Sequence, residues 1–245
     1  MSLALRAAIV FGYGLLTALA TGLGALPFAF VRRVSPRVVA IANAIAAGLM
    51  LGASFGLVVE GATYGEWQTI VGATLGVLFI LAAQRVLGDH EFEFEKVKGA
   101  DARQMLLIVI VMTVHSFAEG VAVGVSFGGG EALGTVITMA IAVHNVPEGL
   151  AISAVLRPRG VSIARCAWWS VFSSLPQPLM ALPAFVFVEA FRPALPFGIG
   201  FAAGAMVFMV LDELLPEAFE EGRRPTVALV VSLTLVGMLL FQRYL

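Results

Sequence analysis

The chain has 245 residues, is 60% apolar and carries 31 charges, 15 Lys and Arg against 16 Asp and Glu, with a mean hydropathy of +0.96. Soluble domains hold about 25% charged residues, so 13% describes a chain dissolved in lipid and excludes a nucleic-acid binder, a disordered tail and a secreted disulfide scaffold. Cys166 is the only cysteine, so no internal disulfide forms.

A hydrocarbon core about 30 Å thick takes about 20 apolar residues per helix. Read with charges and turn residues as limits, the sequence predicts an all-α polytopic membrane protein of eight segments, 4–31, 38–59, 69–85, 104–126, 132–156, 163–190, 195–216 and 225–243, in a single membrane domain over 1–245. In the first segment Ala18-Leu19-Ala20 resembles a signal-peptide cleavage site, but the apolar run continues to Phe30, longer than an h-region of about 7–15 residues. Glycines four apart in the second, third, fourth and seventh segments (Gly48/Gly52/Gly56, Gly72/Gly76, Gly120/Gly124, Gly200/Gly204) let helix backbones approach closely. Packing within the bundle is the preferred reading, with a homodimer face as the alternative. The connection 86–103 is the one substantial hydrophilic loop. Its Glu91, Glu93 and Glu95 beside His90 read as a solvated loop rather than a metal site.

The connections alternate in charge. Those after the first, third, fifth and seventh segments hold Arg32, Arg33, Arg37, Arg85, Lys96, Lys98, Arg103, Arg157, Arg159, Arg165, Arg223 and Arg224, twelve of the fifteen basic residues, while the other side holds Arg6, Arg192 and Arg243. The positive-inside rule makes the first set cytoplasmic and both termini extracytoplasmic. Trp67, Trp168 and Trp169 fall where aromatic belts are expected.

Against this background a few polar residues stand at depth: His115, Glu119, His144, Asn145, Glu148, Gln177, Asp212 and Glu213. A charged residue at the bilayer centre costs about 2.5–3.5 kcal/mol on insertion scales, so it normally has a partner and a purpose. His115 and His144 lie about 16 and 18 Å into segments that run in opposite directions, at about 1.5 Å per residue, so both reach the midplane. His115-Ser-Phe-Ala-Glu119-Gly-Val-Ala and His144-Asn-Val-Pro-Glu148-Gly-Leu-Ala share the pattern H-x-x-x-E-G-φ-A. Positions i and i+4 share a helix face, so two such faces opposed supply two imidazoles and two carboxylates. That donor set suits Zn²⁺ and also admits Fe²⁺, Mn²⁺, Co²⁺ and Cd²⁺. Pro147, between the ligands of the fifth segment, lacks an N–H and is expected to distort the helix there, as are Pro176 and Pro178 beside Gln177. Asp212 and Glu213, 17 and 18 residues into the seventh segment, form an acidic exit in which Asp212, the deeper, is preferred; Glu217 reads as an ordinary polar helix end.

These motifs, with Phe201-Ala-Ala-Gly-Ala-Met-Val-Phe-Met-Val-Leu-Asp-Glu-Leu-Leu-Pro216, resemble the ZIP (Zrt/Irt-like protein) family of metal-ion transporters, near its GufA-like branch, over essentially all eight segments. The resemblance implies eight helices, both ends outside, the longest cytoplasmic loop between helices 3 and 4, and movement of divalent metal into the cytoplasm from outside or from an organelle lumen, with the plasma (cell inner) membrane the preferred location. Carried over by position, the transport site falls on His115, Glu119, His144, Glu148 and Met50, the last a soft, weak ligand or a lining residue. At the family's second metal position this chain has Ser116, Asn145 and Gln177, where many relatives have an acid at the last. None is charged, so one well-occupied metal and a weak or absent second one are expected. The partners expected are metal ions and the lipid bilayer, with no nucleic acid.

The rival function is a metal-dependent intramembrane hydrolase. H-x-x-x-E is not the H-E-x-x-H pattern and no separate buried base is evident, so the sequence is read as a transporter and not an enzyme.

Overall fold

The computed structural model describes residues 2–31, 33–87 and 100–243. Residues 88–99, which contain His90 and the Glu91, Glu93, Glu95 alternative, lie outside the described residues, as do the backbone positions of Arg32, Lys96 and Lys98. All described elements are helical: α1 (Leu3–Leu23), α2 (Pro36–Leu87), α3 (Ala100–Gly129), α4 (Glu131–Leu156), α5 (Ile163–Ser173), α6 (Pro176–Ala190), α7 (Leu195–Met209), α8 (Leu215–Glu221) and α9 (Arg224–Arg243), with short 3₁₀ turns between some of them. Six helical runs are long and apolar enough to cross a bilayer, one of them the 48 residues of Pro36–Ala83, and α3, at 30 residues, is a further one.

Local chemistry sets the limits. The Ser2 hydroxyl accepts the Leu5 N–H to start α1, and Ser162 does the same for Arg165 at the start of α5. Between α3 and α4 the chain reverses at Gly130, whose φ of +148° would strain any side chain. α2 has 52 residues, about 78 Å if straight and far more than a bilayer core. It breaks at Gly65, where the backbone is extended (φ 169°, ψ 105°). Its N-terminal half lies parallel to α9, with Gly48, Gly52 and Gly56 against Thr234, Met238 and Gln242; its C-terminal half lies parallel to α7, with Gly72 and Gly76 against Phe197 and Phe201. Since α9 reverses direction after α8, the two halves of α2 run in opposite senses. The segments 38–59 and 69–85 are therefore two helices of opposite sense joined by a kink.

The paired glycines are seams within the bundle. Gly200 and Gly204 meet Thr69 and Ala73 of α2, and Gly120 and Gly124 meet Gln177 and Ala181 of α6. Two helix groups emerge. α2 packs chiefly against α7, α8 and α9, while α1, α3, α4, α5 and α6 pack on one another; the α2–α4 and α3–α7 contacts join them. α4 is helical straight through Pro147, whereas the sixth segment breaks at Ser174–Leu175, just before Pro176 and Pro178. Pro147 therefore leaves the helix unbroken, and the interruption expected at this depth falls on the segment with two closely spaced prolines. Leu16, Leu19 and Leu23 on α1 and Leu229, Leu233 and Leu240 on α9 point outward, as lipid-facing side chains do.

At one end of the bundle Glu189 pairs with both Arg6 (2.7 Å) and Arg192 (2.6 Å), Arg192 also donates to the Gly128 carbonyl, and the Tyr64 hydroxyl donates to the Gly129 carbonyl (3.0 Å). Two of the three basic residues assigned to the sparsely basic side thus share one acid.

Candidate metal centre

The H-x-x-x-E repeats sit on α3 and α4, the first with His115 and Glu119, the second with His144 and Glu148. All four side chains are buried, and Glu119 and His144 have no accessible surface. Ligand atoms of Glu119, His144 and Glu148 lie within 4.8 Å of one another. His144 Nε2 is 2.6 Å from Glu119 Oε1 and 4.0 Å from Glu148 Oε1. The first distance joins the helices through a hydrogen bond, and the second is the i, i+4 contact along α4.

A chain of neutral amides fixes Glu119 from behind. Gln177 Nε2, at the start of α6, donates to Glu119 Oε2 (2.6 Å); Asn145 Nδ2 donates to Gln177 Oε1 (3.1 Å) and to the Thr17 carbonyl of α1 (2.9 Å). Gln177 reaches this depth because the break at Ser174–Leu175 starts a new helix there, and Thr21 Oγ1 lies 2.8 Å from Ser174 Oγ across the gap. α1 and α4 approach at backbone distance: a Cβ on Gly149 would overlap the Thr21 carbonyl, and one on Gly24 would overlap the Leu150 amide. The hydrogen-bonded chain from Thr17 through Asn145 and Gln177 to Glu119 lies on α1, α4, α6 and α3.

Both oxygens of Glu119 are thus engaged, while Glu148 Oε1, His144 Nδ1 and the Asn145 carboxamide oxygen are buried without a hydrogen-bond partner. A buried unsatisfied polar atom costs about 1–3 kcal/mol. A cation between Glu119, His144 and Glu148 would use the free Glu148 oxygen and balance two carboxylates.

The profile of the ZIP zinc transporter family matches residues 83–242. Zinc transporter ZIPB of Bordetella bronchiseptica is 36% identical over 223 residues, covering 84% of this chain and 72% of that protein. The chain belongs to the ZIP zinc transporter family. Zinc transporter GufA of Myxococcus xanthus is 32% identical over 226 residues, 85% of this chain and 87% of its own. A provisionally named zinc transporter of Arabidopsis thaliana is 48% identical over 230 residues; these cover 92% of this chain but 37% of the plant protein, so the chain spans little more than a third of that relative.

The remaining candidates of this ZIP protein are placed differently. His115 does not join the three-residue set; its Nε2 is 3.6 Å from Glu213 Oε2, across the seam between the helix groups. Asp212 is exposed, whereas Glu213 turns inward. Both lie in a π-helical turn, Val210–Leu214, and the buried face through Met206, Met209 and Val210 brings Glu213, not Asp212, toward the centre. Helical phase outranks depth here. Met50 is fully buried in the apolar core with Ala118 and Ile141. Ser116 is buried with its hydroxyl unpartnered, and Asn145 and Gln177 hold Glu119 in place. Two contributors escaped the sequence reading. The Thr17 carbonyl anchors Asn145 and has no side-chain signal. Asn43, buried in the N-terminal half of α2, had one: an amide in the run Ala42-Asn43-Ala44 of an apolar segment.

Proposed function

We propose that this ZIP protein carries divalent metal ions, zinc foremost, across the membrane through the buried Glu119, His144, Glu148 centre. The observation that carries the reading is the convergence of these three side chains within 4.8 Å at depth in a helical membrane bundle. The names of its relatives favour zinc, while the imidazole and carboxylate donors also accept Cd²⁺, Fe²⁺ and Mn²⁺. Twelve basic residues in the connections assigned to one side support cytoplasmic delivery, with both termini extracytoplasmic. Chain 1–245 acts as one transport domain in the plasma (cell inner) membrane, with no catalytic step.

Transport proceeds by alternating access. The ion sheds water, binds Glu119, His144 and Glu148 with His115 adjoining, and passes toward Glu213, which belongs to the other helix group. The neutral Ser116, Asn145 and Gln177 leave room in the charge balance for one ion. Uptake of ⁶⁵Zn²⁺ by proteoliposomes tests the reading. His144→Ala and Glu148→Ala should each reduce uptake at least a hundredfold while the protein still inserts. Wild-type uptake by either variant refutes the site, and hydrolytic turnover without net flux would favour the hydrolase.

A further inference from the structure

Outside the buried centre, Glu213, Glu217 and Glu221 stand four residues apart and form one face from the π-turn to the end of α8. Like charges at i, i+4 destabilise a helix, so the ladder costs stability unless something positive sits along it. None of the ion pairs among the described residues involves Glu217 or Glu221. Three further facts distinguish this face from a plain polar helix end. Its upper rung, Glu213, is 3.6 Å from His115. The N-terminal half of α2 packs beside it, with Ala44 and Ala218 in one buried cluster, while Glu217 and Glu221 are exposed. Asn43 on that half is 1% exposed, both polar atoms of its carboxamide lack a hydrogen-bond partner of good geometry, and the carboxamide faces the Glu217 carboxyl, which also feels Glu221 and Glu213. The Asn43 carboxamide oxygen, which accepts no hydrogen bond, and the Glu217 carboxylate beside it offer two oxygen donors to a cation. Arg37 and Arg223 line the shallow cavity beyond, by Gly222.

We infer that the seam between α2 and α8 holds a second divalent-cation site, in which the Asn43 carboxamide oxygen and the Glu217 carboxylate are the ligands and Glu221 adds negative charge one turn further. It rests on the cargo being a divalent cation, and it gives that ion a stop between the buried centre and the end of the bundle. An all-oxygen donor set with one or two carboxylates binds more weakly than a site with imidazole, as a release site must.

The test is equilibrium dialysis of the full-length protein in detergent against Cd²⁺, with bound metal counted by mass spectrometry, in a His144→Ala/Glu148→Ala background. That background should retain one saturable Cd²⁺ per chain, lost with Glu217→Gln and weakened at least tenfold by Asn43→Leu. Asn43→Asp, which adds charge without volume, should tighten binding at least tenfold and decides the matter if Asn43→Leu does not yield monodisperse protein. No saturable Cd²⁺ in the background, or binding indifferent to both Asn43 substitutions, overturns the site; the second result would mean that surface carboxylates alone hold the metal and that Asn43 faces a buried water. Failure of the transport reading appears separately, as uptake that survives His144→Ala.

Discussion

Gln177→Glu is the sharpest probe of the proposal that this centre takes one ion. The Gln177 amide nitrogen lies 2.6 Å from Glu119 Oε2 and donates to it. Glutamate at the same place turns a donor into an acceptor and sets two carboxylates against each other in a buried site. At about 4 Å, after relaxation, the repulsion is about 4 kcal/mol for an effective dielectric of about 20, roughly a thousandfold in an equilibrium constant. The site relieves it by holding a proton between the carboxylates or by taking a second dication. Metal counting at pH 7.5 should find one dication per wild-type centre and, with excess Zn²⁺, two in Gln177→Glu. Lowering the pH should remove the second ion first, because the shared proton competes for the same oxygens. Two full-occupancy ions in the wild-type centre, or one in the variant at every pH, would refute the argument that amide neutrality sets the stoichiometry. The comparison is best made with the α2–α8 site disabled by Glu217→Gln, so that the count reports the centre alone.

Four other outcomes follow from the same contacts. Gly149→Ala places a methyl against the Thr21 carbonyl and should destabilise the protein by roughly 1–3 kcal/mol, visible as a lower unfolding temperature in detergent and recovered by no metal concentration. Glu213→Gln leaves Glu119, His144 and Glu148 intact, so metal affinity at the centre should hold within threefold while uptake slows at least tenfold; loss of both together would place Glu213 in the centre itself. Glu189→Ala leaves Arg6 and Arg192 without their shared acid and should cost about 1 kcal/mol, diminishing in high salt; no change in unfolding at low salt would mean that the network contributes nothing. His144 Nε2 and Glu119 Oε1 are 2.6 Å apart, so a dication bound to Nε2 must displace the hydrogen that joins them; His144→Gln, which cannot present a ring nitrogen, should weaken metal binding at least tenfold by equilibrium dialysis, and unchanged affinity would remove His144 from the ligand set.

The sequence made the bundle legible because lipid leaves few places for charge. The expected all-helical bundle is what the described residues form, and the glycine spacing marked helix contacts that the structure assigns to partners. What the sequence lacked was phase and partner identity. Repetition of H-x-x-x-E suggested two equivalent pairs, but a motif fixes only which residues share a face, and each face points where its helix packs. α3 presents Glu119 to α4 and leaves His115 beside Glu213, so one motif is split between two neighbours while the other stays whole. Asp212 was favoured on depth, although the apolar positions Met206, Met209 and Val210 already mark the inward face as the one carrying Glu213. The role of Gln177 was hidden for another reason. Its effect runs through a hydrogen bond to a residue 58 positions away, and no spacing within one helix encodes that.

Charge balance then links the centre to the direction of work. With a dication bound, Glu119 and Glu148 ionised and His144 neutral, the centre carries no net charge. Were the ion to leave an ionised centre, Glu119 would keep its hydrogen bonds to His144 and Gln177, and Glu148 would remain as an unmatched buried carboxylate with a free oxygen. Such a charge costs about 2.5–3.5 kcal/mol at the bilayer centre, so an empty centre that moved through the bilayer ionised would cross a barrier that the loaded one does not. A proton on Glu148 removes that cost. With a further proton on the Glu119–His144 pair, the empty centre would hold two added protons in place of one dication, and both forms would be neutral. Gln177 and Asn145 preserve this equality because they orient Glu119 without adding charge; an acid at either position would spoil it in one of the two states. The amide chain from Thr17 to Glu119 thus fixes the geometry of the ligands and also makes a neutral exchange possible.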